Sequence, residues 1–123
     1  MPRVATYYQL LDNPVDVSAT PLTLNQSVAD TPAGGEGALV TWLAAGIAGV
    51  VTYNVKVNGN NLGDYTAISI GGSGGIPAVV IPVQEATTTS AVHQGSNNVV
   101  FTKTGGTGTL RLSAVMLWHR VNV

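Results

Sequence analysis

The chain has 123 residues, of which 45% are hydrophobic but only 9% charged, and its formal net charge is −1. Its five Lys and Arg residues are scattered as Arg3, Lys56, Lys103, Arg111 and Arg120, so no basic field faces a phosphate backbone and nucleic acid is excluded as a partner. Cysteine is absent, which removes disulfides, thiolate nucleophiles and zinc–thiolate sites.

In chain order, Met1–Tyr8 lacks the long apolar core of a signal peptide, and export by that route is not expected. The first strand is predicted over Ala5–Leu11 and ends at Asp12-Asn13-Pro14, where proline fixes φ and biases its predecessor away from helix. A second strand falls within Val17–Leu24. Asp30-Thr31-Pro32-Ala33-Gly34-Gly35-Glu36-Gly37 is too rich in Gly and Pro for regular structure and reads as an exposed loop. Ala38–Ala45 could form two turns of helix or a strand buried on both faces, and its length and context favour strand. The longest apolar stretch, Ala38 to Val51, is interrupted by Thr41, Gly46 and Gly49 and is shorter than the ~20 residues of a membrane helix. A soluble chain without membrane insertion is expected.

Gly46-Ile47-Ala48-Gly49 turns the chain into Val50–Val57, where Val51, Tyr53, Val55 and Val57 alternate with Thr52, Asn54 and Lys56, the pattern of a half-buried strand. Asn58-Gly59 suits the left-handed conformations of a type I′ hairpin turn, and Asn60–Ile70 should pair back. Gly71-Gly72-Ser73-Gly74-Gly75 reads as a loop and not as a phosphate cradle, because a strand, Ile76–Val83, follows it where a helix would be needed. Pro82 places that strand at a sheet edge or a bulge. Thr87-Thr88-Thr89-Ser90 then leads to a predicted hairpin: a β-rich run from Gly95, a turn at Gly105-Gly106-Thr107-Gly108, and a second run to Val123. Within that last run Leu110 and Leu112 share one parity while Val115, Leu117 and Val121 share the other. The inward face therefore switches near Ser113-Ala114, through a β-bulge or a passage from one sheet to the other.

About eight short strands and no helix long enough to cover a sheet predict an all-β fold, a two-sheet antiparallel β-sandwich of jelly-roll type. Residues 1–123 are expected to form a single domain. Gly95-Ser96-Asn97-Asn98 through Leu117-Trp118-His119-Arg120-Val121 resembles the closing strands of jelly-roll β-sandwich domains, which include carbohydrate-binding modules and virion or appendage subunits. The resemblance covers the C-terminal third of the chain. It implies a fold that serves both binding and structural roles, and it transfers no site residues.

The stock of catalytic groups is thin. Asp12, Asp16, Asp30, Glu36, Asp64 and Glu85 are far apart in sequence and sit mostly in predicted turns. His93 and His119 fall on separate elements without the short spacing of a metal motif, and Asn60-Asn61-Leu62-Gly63-Asp64 lacks the alternating oxygen ligands of a calcium loop. No enzyme, metal or cofactor is expected. Trp42, Trp118, Tyr53, Tyr65 and the pair Tyr7-Tyr8 are the residues that could stack on an apolar ligand face, although tryptophan among apolar β-residues is also the usual core pattern.

Two functions follow from these features. The first is a non-catalytic structural subunit that assembles with copies of itself in a virion, a tail-associated assembly or an extracellular fibre, because charge is depleted at interface centres. In that reading an N-terminal arm, Met1–Thr6, adds to a neighbour's sheet edge. The alternative is a carbohydrate-binding module, in which Trp42 and Tyr65 stack on a glycan and Asn58, Asn60, Asn61 and Asp64 supply hydrogen bonds.

Overall fold

A computed structural model describes residues 3–29, 32, 38–69, 84–88 and 92–122. Among these residues nine strands run β1 (Arg3–Leu11), β2 (Val15–Val17), β3 (Leu22–Val28), β4 (Ala38–Ile47), β5 (Val51–Val57), β6 (Asn60–Ala67), β7 (Gln84–Thr88), β8 (Gly95–Gly106) and β9 (Thr109–Asn122). They form two antiparallel sheets. A five-stranded sheet has the order β1-β9-β4-β7, with β2 continuing the β1 edge along β9, and a four-stranded sheet has the order β3-β8-β5-β6. This is the all-β sandwich that the strand spacing predicts.

The core lies between the sheets and follows from period-two alternation. Val51, Tyr53, Val55 and Val57 point inward from β5, Val99 and Phe101 from β8, and Ala38, Val40, Trp42 and Ala44 from β4. Ala38–Leu43 therefore alternates instead of being buried on both faces. Only Ala44, Ala45 and Gly46, toward the end of β4, are buried in succession.

Several expectations are corrected by pairing. The strand expected within Val17–Leu24 is two, β2 ending at Val17 and β3 starting at Leu22. β2 pairs with β9 and β3 with β8, so the chain turns a corner from one sheet to the other at residues 18–21. The expected C-terminal hairpin is not a hairpin either, since β8 and β9 lie in different sheets and the turn between them is an arch. Its partner is the β4–β5 turn, which also crosses between sheets. The amides of Thr107 and Gly108 donate to the Val50 carbonyl at 3.1 and 3.4 Å. A Cβ at Gly108 would run into the Gly49 carbonyl, so glycine is what lets the two arches stack.

Of the expected N-terminal arm, Arg3–Thr6 form the start of edge strand β1 and pair on one side with Asn122–His119 of the same chain, while Met1 and Pro2 lie outside the described residues. Ser113-Ala114 carries the expected irregularity as a bulge, not a change of sheet. Met116 faces Thr41 while Ser113 faces Leu43, and Ala114 has φ +51°. The step allows Leu112 and Val115, of opposite parity, both to be fully buried. The Asn58-Gly59 turn has φ values of +50° and +84°, the type I′ signature. β6 ends at Ala67, short of the expected Ile70, and β7 takes in Thr87 and Thr88 of the predicted Thr87–Ser90 lead-in, whose last two residues lie outside the described residues. Gly71–Gly75, Ile76–Val83 and the Asp30–Gly37 loop, apart from Pro32, lie outside the described residues.

Candidate functional site

The six residues expected to bind a ligand fall into three environments. Trp42 is fully buried. Its indole N–H donates to the Tyr53 hydroxyl across the sandwich at 2.8 Å, and its ring meets Tyr65 and Phe101 edge-on at centroid distances of 5.1 and 5.5 Å. No face of that indole is open to a ligand, so the stacking role drawn for Trp42 is corrected to a core role. Tyr65 is half-buried and packs on the same cluster. Desolvation pushes the Tyr53 hydroxyl up to about 12, opposed by the Trp42 hydrogen bond, and raises Tyr65 as well.

Asn58 belongs to a polar staple. Its Oδ1 accepts from the Asn98 amide at 2.8 Å and its Nδ2 donates to Asn97 Oδ1 at 2.8 Å. Asn97 is itself buried. Its Oδ1 also accepts from the His93 amide at 3.0 Å, and its Nδ2 donates to the carbonyls of His93 at 2.7 Å and Gly95 at 3.0 Å. These bonds tie the start of β8 to the β5–β6 turn and satisfy groups that would be costly to bury alone. Asn60, Asn61 and Asp64 are exposed near the hairpin end, and Asn61 Oδ1 accepts from the Gly63 amide at 3.0 Å in an Asx-turn. The hairpin therefore presents amides and a carboxylate, while its aromatic neighbours face the core.

An open aromatic row lies instead on the outer face of the five-stranded sheet. Tyr7 on β1, Trp118 on β9 and Leu39 on β4 are directly opposite one another in register. Tyr7 is 54% exposed, and its ring leans on Trp118 at a centroid distance of 4.9 Å and an interplanar angle of 37°. The Trp118 indole N–H donates to Thr41 Oγ1 at 3.0 Å, which holds the ring against the sheet. The neighbouring row is Gln9, Met116, Thr41 and Glu85, and on the other side of Trp118 stands exposed Arg120. Further along the same face Arg111 forms a two-point pair with Asp16, Nε–Oδ1 at 2.8 Å and Nη2–Oδ2 at 3.2 Å, and this pair lowers the Asp16 carboxyl.

Tyr7 and Trp118 are both recognisable in the sequence as aromatics, but 110 positions separate them, and only the β1–β9 register shows that they are neighbours. The histidines stay apart. His119 is buried and stacked on Tyr8, with rings 5.7 Å apart and 3° from parallel, whereas His93 is exposed. Among the described residues no three His, Cys, Asp or Glu side chains gather as a metal site. Among the described residues no helix is long and apolar enough to cross a membrane.

No protein-family model matches the chain, and no curated protein matches its sequence. Solved structures do match its shape. A β-porphyranase of glycoside hydrolase family 86 from Bacteroides plebeius superposes with a TM-score of 0.62 at 20% identity, over 98% of this chain and 21% of that one. Dimeric latent PorU from Porphyromonas gingivalis gives 0.61 at 11% identity, over 98% of this chain and 13% of that one. A family 35 carbohydrate-binding module from Clostridium thermocellum gives 0.51 at 19% identity, over 93% of this chain and 97% of that one. The fold is a jelly-roll β-sandwich. This chain spans about a fifth or less of the first two structures, and at these identities the likeness shows fold alone.

Proposed function

We propose that the protein is a non-catalytic binding module that holds a neutral glycan on the outer face of its five-stranded sheet. The observation that carries this reading is the Tyr7–Trp118–Leu39 row bordered by hydrogen-bonding side chains. A pyranose ring offers an apolar C–H face and a rim of hydroxyls. Aromatic rings take the face, and Gln9, Thr41, Glu85 and Arg120 stand on both sides to take the rim. The row crosses three strands, roughly 10 Å at ~4.8 Å per strand, which accommodates one or two sugar rings. A chain with 9% charged residues and net charge −1 suits a ligand without formal charge. That a carbohydrate-binding module of similar length shares the fold is in keeping with this use.

A neutral-glycan array followed by calorimetry on the best binder tests it. Tyr7→Ala and Trp118→Ala should each weaken binding by at least ~10-fold, about 1.4 kcal/mol, with the circular dichroism spectrum unchanged. Asp64→Ala, at the hairpin, should leave affinity within about twofold, less than ~0.5 kcal/mol. If Asp64→Ala abolishes binding and Tyr7→Ala does not, the site is the Asn60–Asn61–Asp64 hairpin. If the protein binds no glycan on the array, the reading is overturned.

A further inference from the structure

Both sheets end in edge strands, and natural sheets blunt such edges with charge, bulges, proline or brevity, because unpaired N–H and C=O groups template pairing with another chain. Among the described residues, three of the four edges carry such devices. The β1–β2 edge has a register shift between Gln9 and Leu11, then Asp12, Pro14 and Asp16. β6 has a register shift opposite Val55 and Lys56 and carries Asp64. β7 has five residues and includes Glu85. β3 has none of these. Leu22-Thr23-Leu24-Asn25-Gln26-Ser27-Val28 contains no charge, no proline and no glycine, and pairs with β8 over all seven residues without a register shift.

We infer that the β3 edge pairs with the β3 edge of a second copy of this chain, antiparallel about a two-fold axis at Asn25, so that the four-stranded sheet continues through the axis into its mate. The occupant follows from the strand itself. Thr23, Asn25 and Ser27 face outward and are exposed, whereas Leu22, Leu24, Gln26 and Val28 face the sandwich interior. Antiparallel self-pairing must match outward with outward residues, or every side chain lands on the wrong face. Centred on Asn25, all seven residues overlap and the faces agree. Leu22 meets Val28, Thr23 meets Ser27, Leu24 meets Gln26, and Asn25 meets itself. Centring on Leu24 or Gln26 keeps the faces but shortens the overlap, and centring between residues inverts them. Homotypic pairing also sets like residues against each other at the axis, and an uncharged strand is what tolerates that. Asn25 already lies beside Asn98 of β8, so the pairing runs four asparagines across the joined sheet.

This inference does not rest on glycan binding, which uses the opposite sheet. Light scattering after size exclusion, from micromolar to millimolar protein, should show mass rising toward twice that of the chain. Asn25→Lys puts two ammonium groups at the axis and should return the monomer mass at every concentration, with an unchanged circular dichroism spectrum. As the natural sequence has no cysteine, Asn25→Cys gives a directed probe. Residues opposite each other across antiparallel strands have Cα atoms ~4.5–5.5 Å apart, within disulfide reach, so mild oxidation should yield a covalent dimer, and Thr66→Cys, on β6, should not. A wild-type monomer at millimolar concentration, or a dimer indifferent to Asn25→Lys with no Asn25→Cys cross-link, overturns the inference.

Discussion

The two tryptophans occupy neighbouring strands of one sheet and opposite sides of it. Trp42 projects from β4 into the sandwich, where it is fully buried, edge-on to two rings and hydrogen-bonded to Tyr53. Trp118 projects from β9 to the outside, half-buried, with Tyr7 against it and Thr41 accepting its N–H. Both satisfy their polar handle within the chain, yet one serves cohesion and the other is presented outward. What separates them is parity: Trp118 stands opposite Leu39, three positions before Trp42, so the two indoles fall on different faces.

The contrast is broken most severely at Trp42. Trp42→Ala should cost about 3–5 kcal/mol of unfolding free energy in urea titration, through the cavity and the stranded Tyr53 hydroxyl. Alkaline pH probes the same partner. The Tyr53 hydroxyl titrates near 10 in the unfolded chain and about 12 in the folded one, so stability is intact below pH 10 and falls as pH rises toward 12, with Tyr65 acting in the same direction. A melting temperature flat across that interval would show that Tyr53 is not held in a desolvated site.

Trp118→Ala should cost less, about 1 kcal/mol or under, because the ring stays partly in water in the native state. Acrylamide should quench Trp118 in preference to Trp42, and a bound glycan should protect it. The smallest effect concerns the bulge that sets the parity of β9. Ala114 is held at φ +51°, where a Cβ is strained, so Ala114→Gly should change stability by less than ~1 kcal/mol, toward stabilisation, since relief of strain slightly exceeds the added entropy of the unfolded chain.

Legibility in the sequence followed the range of the interaction. The type I′ turn at Asn58-Gly59 was readable because two adjacent residues must both adopt positive φ. The bulge at Ala114 was readable because one strand changed parity within itself. The arch between β8 and β9 reads in the sequence as a hairpin. Local composition marks a reversal at Gly105–Gly108, but whether the returning strand pairs with its predecessor or crosses to the other sheet depends on partners β3 and β1, at the far end of the chain. The candidate site suffered similarly. Tyr65 and Trp42 are legible as aromatics, and Asn58 as a hydrogen-bonding residue, but each is committed to packing or to Asn97 by contacts no short window contains.

The sequence by itself determined that the chain is all-β, poor in charge and short of catalytic groups, and where most strands begin, since alternation, turn chemistry and composition are local properties. Tertiary structure alone decided which strands share a sheet, which tryptophan is core, and that Tyr7 and Trp118 form one surface. Those outcomes depend on register between distant strands, where a step of one residue exchanges the buried face for the open one.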